Sequence, residues 1–89
     1  MGAVILDPAE IRSFRAAMAE LRDDVYSHRL AMERETTEAQ SYWRDELFKK
    51  FRREQEDLLF QIQVFEKLCD NYGDFLDRKA NVSEEYLRM

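Results

Sequence analysis

Residues 11–43 read IRSFRAAMAELRDDVYSHRLAMERETTEAQSYW, and the spacing inside this stretch decides the fold. Ile11, Phe14, Met18, Leu21, Val25 and Met32 recur at alternating steps of three and four, with His28 in the one open slot. That is the seam of an amphipathic helix packed on another helix. Trp43 follows it, and beyond the tryptophan a second set begins: Leu47, Phe51, Leu58, Ile62, Phe65, Cys69, Tyr72 and Leu76. Two long periodic stretches around one hinge predict an all-α, antiparallel two-helix hairpin. The alternative is one unbroken rod.

The start of the first helix is sharply marked. Asp7-Pro8-Ala9-Glu10 offers a capping carboxylate, a proline at the first helical position and a glutamate that can reach back to the cap amide. Leu6 would staple onto Ile11. The helix is expected over about 8–35, ending where Thr36 and Thr37 bring side chains that compete for backbone hydrogen bonds. A reversal is expected over about 36–45, with Ser41 or Asp45 capping the second helix. Helix two then spans about 46–80, carried through Gly73 at a cost of roughly 1 kcal/mol against alanine, with an extension over 81–89. The whole reads as one domain, 1–89.

Composition agrees with long solvated helices. Of 89 residues two are glycine and one is proline, while 37% are charged; few breakers leave no material for the turns of a sheet. The net charge of −5 argues against nucleic acid and against an anionic membrane surface as partners. One cysteine excludes an internal disulfide. The run Ala3–Leu6 is too short for a signal peptide or a spanning helix, and Leu6 stands where a myristoylation signal has Ser or Thr. These features predict a cytoplasmic chain.

Helix two carries a second apolar line, Phe60, Val64, Leu68, Phe75, Val82 and Tyr86, set 100 to 140 degrees around from the first at about 100 degrees per residue. One neighbouring helix cannot cover both lines. Folding the chain about a turn near residue 40 sets Ile11 opposite Cys69, Met18 opposite Ile62 and His28 near Phe51. Everything after Tyr72 would then overhang, with only Ala3–Leu6 to cover part of it. A hairpin of this size buries little. The expectation is that two hairpins meet through the second line and form a four-helix bundle, or that another protein docks there.

Chemistry is sparse. His28, the only histidine, is placed on the buried seam near Asp24, too few groups for a metal site, and reads as a hydrogen-bonded core residue. Cys69 reads as a small buried hydrophobe. No phosphate-binding loop and no nucleophile with an adjacent base occur. No enzyme activity, cofactor or metal is expected. Lys49-Lys50-Phe51-Arg52-Arg53 has acidic partners four residues away in Asp45, Glu46, Glu56 and Asp57, and reads as a self-neutralised exposed face.

With two long helices and Trp43-Arg44-Asp45 at the reversal, the chain resembles the WXG100 (ESAT-6-like) proteins over roughly residues 8–80. In that family Trp-x-Gly marks the turn and an aromatic follows on the next helix, as Phe51 does here. Asp45 stands in place of the glycine, so the turn would rest on a capping aspartate. The family's export signal, Tyr-x-x-x-Asp/Glu after the second helix, is not matched: Leu76 follows Tyr72 by four, and Tyr42 to Glu46 fits but lies in the hinge. The resemblance implies a small protein-binding hairpin, acting as an adaptor or secretion-associated partner, paired with itself or a paralogous hairpin. It also implies a route of secretion without a cleaved signal peptide. The alternative is a coiled-coil structural subunit of a larger hetero-complex. Trp43 itself is expected to bury its ring and close the end of the bundle, and an exposed anchor for a partner is the other reading.

Overall fold

The computed structural model describes residues 7–88 and consists of two helices, α1 (Pro8–Ala39) and α2 (Glu46–Arg88), folded back on each other. Among the described residues there is no strand. The long axis of 66 Å is the length of α2, whose 43 residues rise about 1.5 Å each.

α1 begins as its sequence dictates. Asp7 is extended and its carboxylate accepts from the Ala9 amide at 2.9 Å, with Pro8 in the first turn. The expected staple from Leu6 and the cover from Ala3–Leu6 lie outside the described residues. At its far end α1 runs past the expected stop at Glu35 to Ala39. The threonine hydroxyls do not break it, because each bonds back inside the helix: Thr36 Oγ1 donates to the Met32 carbonyl at 2.8 Å and Thr37 Oγ1 to that of Glu33 at 2.9 Å.

The reversal occupies Gln40 to Asp45. The amide of Ser41 donates to the Glu38 carbonyl and that of Trp43 to the Ala39 carbonyl, closing the last turn of α1. Among the described residues none has a positive φ, so the bend needs no glycine. Asp45 is the cap of α2: its Oδ1 accepts from the Phe48 amide at 2.9 Å. α2 then runs to Arg88, continuing through the extension after residue 80 without a break.

The two helices mirror about Glu46, the first residue of α2, rather than about residue 40. Arg15 therefore lies beside Asp77, where the expected register would have set it beside Phe65. Arg12 reaches Asn81 and Glu84, so the long overhang after Tyr72 does not arise.

The seam is also rotated from the apolar reading. α1 turns inward Pro8, Ile11, Arg15, Met18, Arg22, Val25, Arg29, Met32 and Thr36, again at steps of three and four. Ile11, Met18, Val25 and Met32 belong to both versions, but Phe14, Leu21 and His28 give way to Arg15, Arg22 and Arg29. On α2 the inward set is Phe48, Gln55, Leu59, Ile62, Glu66, Cys69, Gly73, Leu76, Ala80 and Ser83. Cys69 is a buried free thiol. Gly73 leaves room for an arginine to cross: a Cβ there would come within 2.7 Å of the Arg15 guanidinium carbon.

Candidate interaction surface

One flank of this seam is an ion-pair ladder. Arg15 donates to Asp77, Arg22 to Asp70 at 3.0 and 3.3 Å, and Arg29 to Glu66 through two nitrogens at 2.6 and 3.2 Å. Arg29 also reaches Glu33 at 3.2 Å. The bond to Glu66 raises the pKa of Arg29 above its ordinary value. Tyr26 lies 5.3 Å from the Arg22 guanidinium and 5.1 Å from that of Arg29. The outer pairs are half in water, where solvent screening leaves them weak. The Arg29–Glu66 pair differs, since its side chains are only 11% and 6% exposed. Its fork geometry satisfies both charges inside the seam.

The other flank is apolar. At about 100 degrees per residue, Phe14 and Leu21 fall on the side of α1 away from the arginines, and Leu58, Phe65, Tyr72, Leu68 and Phe75 fall on the matching side of α2. Antiparallel packing brings those two sides onto one face of the hairpin. All of these side chains are exposed. The whole second line, Phe60, Val64, Leu68, Phe75, Val82 and Tyr86, lies in solvent. The buried apolar side chains are few and mostly small: Ile11, Phe48, Cys69 and Ala80. His28 is exposed as well, so its assignment to the buried seam is corrected. With Phe14 and Leu21, fourteen and seven residues earlier, it lies on the uncovered side of α1, while Ile11, Met18, Val25 and Met32 of the same series face inward. Among the described residues, no three His, Cys, Asp or Glu side chains come together in a way that could hold a metal ion.

The hinge end is aromatic. Trp43 packs on Phe48 at 5.0 Å between ring centroids and stacks on Phe51 at 6.4 Å. Phe48 is the ring that closes the core, at 4% exposure, while Trp43 remains 37% exposed and lies over it. The expected burial of the tryptophan thus passes to a phenylalanine that the apolar stripe, running through Leu47 and Phe51, skipped. The Phe48 amide, then the Trp43 indole N–H and the Leu47 amide, hold the Asp45 carboxyl below its usual range. Beneath the aromatics, Gln55 Nε2 donates to Thr36 Oγ1 at 2.6 Å. The threonine proton is committed to Met32, so this amide orientation is fixed, and Gln55 Oε1 is left buried without a partner.

Trp43 lines several open concavities, of which two are the larger. One, of about 510 Å³, lies between the helices on the apolar face, with Met32, Phe51 and Leu58 in its wall and Glu35 and Glu54 at its border. The other, of about 640 Å³, lies across the tryptophan against Arg44, Lys49, Arg52 and Arg53. The expected neutralisation of that basic run is incomplete. Asp45 caps α2 and Lys49 turns to Glu46 at 3.1 Å. Arg52 meets Glu56 only at 3.9 Å, and Arg53 forms no ion pair among the described residues.

Sequence reading found the second line on α2 and the capping aspartate. It missed the ladder, although Arg15, Arg22 and Arg29 stand seven apart and Asp70 and Asp77 repeat the interval. No helix of the described residues is long and apolar enough to cross a membrane. The chain matches no protein-family model, and neither a curated protein nor a solved structure matches it.

Proposed function

We propose that this chain is a non-enzymatic protein–protein interaction module, a WXG100-like hairpin serving as an adaptor or secretion-associated partner. In this reading its apolar face is covered by a second copy or a paralogous hairpin, completing a four-helix bundle. The observation that carries it is the imbalance between inside and outside: among the described residues the buried hydrophobic side chains are Ile11, Phe48, Cys69 and Ala80, while Phe14, Leu21, Phe65, Leu68 and Phe75 stand in water. Apolar surface contributes about 25 cal/mol per Å² when covered, and contiguous exposed patches of this kind mark interaction sites. A cytoplasmic site of action, with export that uses no cleaved signal peptide, completes the proposal.

The alternative is a structural subunit of a hetero-complex. It draws on the length of the exposed line, since Phe60 to Tyr86 extends about 39 Å at 1.5 Å per residue, enough to seat a long partner helix. The test is the absolute mass of the chain across a dilution series, beside the variant Val64→Glu/Leu68→Glu. A dimer that the charged variant abolishes supports the self-paired module. A folded native monomer at every concentration overturns it and moves the search to a different chain.

A further inference from the structure

We propose that the basic concavity at the hinge binds an acidic peptide segment of a partner protein, with an aromatic residue of that segment against Trp43. This rests on the reading of the chain as an interaction module but uses a different surface from the apolar face. Four cations, Arg44, Lys49, Arg52 and Arg53, share the cavity with a single carboxylate, Glu56, in a chain whose net charge is −5. Arg44 spends only its Nε proton, on the Gln40 carbonyl at 3.2 Å. Arg53 has no ionic partner among the described residues, so guanidinium donors remain for incoming carboxylates. The wall is formed by Trp43 and Phe48, giving an aromatic guest a face to pack on.

The size of the site and its surroundings select a short acidic segment over a nucleic acid. A nucleic-acid site needs cations along the track of the backbone, whereas these four are gathered in one concavity. Glu35 and Glu54 border the other side of the same tryptophan and would repel a polyanion extending past the site. A compact pair of carboxylates flanking a ring meets only the favourable part of this field.

Trp43 is the sole tryptophan, so its fluorescence reports occupancy directly. The titrant is a five-residue peptide with two aspartates and two glutamates around a central phenylalanine. Its counterpart carries asparagine and glutamine instead, and a twelve-nucleotide single strand is the third ligand. The expected result is a saturable change with the acidic peptide, at least about tenfold weaker with the amide peptide. It should also weaken at least about fivefold in Arg44→Gln/Arg53→Gln, a variant whose helical content and melting temperature serve as the folding check. Equal response to both peptides, or none to the acidic one, overturns the proposal. So does tighter binding of the oligonucleotide. Repeating the titration on Val64→Glu/Leu68→Glu separates the two readings. Retained peptide binding alongside native and variant chains that are both monomeric defeats the self-paired bundle and leaves this site standing. A native dimer without peptide response does the reverse.

Discussion

The two flanks of the α1–α2 seam start from the same four residues of α1 and end in opposite chemistry. On one, arginines at heptad spacing lay their stems across the partner helix and place their charges on Glu66, Asp70 and Asp77. On the other, Phe14 and Leu21 join Phe65 and Tyr72 in an uncovered apolar strip. The ladder is complete inside one chain, with each of the three arginines on an acid of the facing helix. The apolar strip is incomplete and leaves surface for another molecule. Burial of large side chains and pairing of charges are therefore assigned to different faces. In a two-helix object they have to be, since every seam position lies close to water and long arginine stems can cover it while their ends stay solvated.

The largest expected effect comes from breaking the ladder at its driest rung. Glu66→Ala strips Arg29 of its two-nitrogen partner and leaves it Glu33 at 3.2 Å, so the cost should fall at the lower end of the about 3–5 kcal/mol of a broken buried pair. Thermal and urea unfolding should show the hairpin melting far below the native chain. Arg29→Met/Glu66→Met should recover most of that loss, since an apolar pair of similar volume removes the stranded charge. If the single variant melts like the native protein, the ladder plays no part in stability.

Next comes the contrast between a ring in the seam and one on the strip. Phe48→Ala should cost about 3 kcal/mol, as expected for an aromatic lost from a packed site. Phe65→Ala, on the exposed side, should cost under about 1 kcal/mol in dilute solution. Its cost should grow with protein concentration if a second copy covers the strip. Equal costs for the two at low concentration would dissolve the distinction between the faces.

The smallest effect concerns the cap that starts α2. Hydrogen bonds from the Phe48 amide and the Trp43 indole lower the Asp45 pKa from 3.8. A carboxyl whose folded pKa is depressed adds stability that is fully present above its unfolded value and is lost as pH falls through the lower folded one. Asp45→Asn keeps an effective capping side chain without the charge. Its melting temperature should therefore lie slightly below the native value at neutral pH, and the gap should close as pH falls below 3.8. A gap that stays constant down to acid would mean the charge of Asp45 contributes nothing.

Much of the helical architecture was legible from residues alone, and the reasons are local. Asp7-Pro8 caps α1 because a carboxylate and a missing amide suit a helix start anywhere. Asp45 caps α2 for the same reason, and Gly73 interrupts nothing because one glycine costs less than the turns on either side supply. The exposed line from Phe60 to Tyr86 was legible too, since angle around a helix follows from counting. Register was not. The end of α1 turned on two threonine hydroxyls bonding back into their own helix when they could as well have capped a break, and the pairing across the seam set the mirror point further on, at Glu46. Nor was the choice of seam, because Ile11, Met18, Val25 and Met32 fit two rotations of α1 equally well in one dimension. Apolar periodicity favoured the rotation through Phe14, Leu21 and His28. Only the pairing of α1 with α2 in three dimensions put Arg15, Arg22 and Arg29 opposite acids, exposed His28 and set Phe48 rather than Trp43 at the closed end. A sequence carries the rotation of each helix as an angle, but which angle faces the neighbour is decided by what the neighbour offers, and here it offered carboxylates.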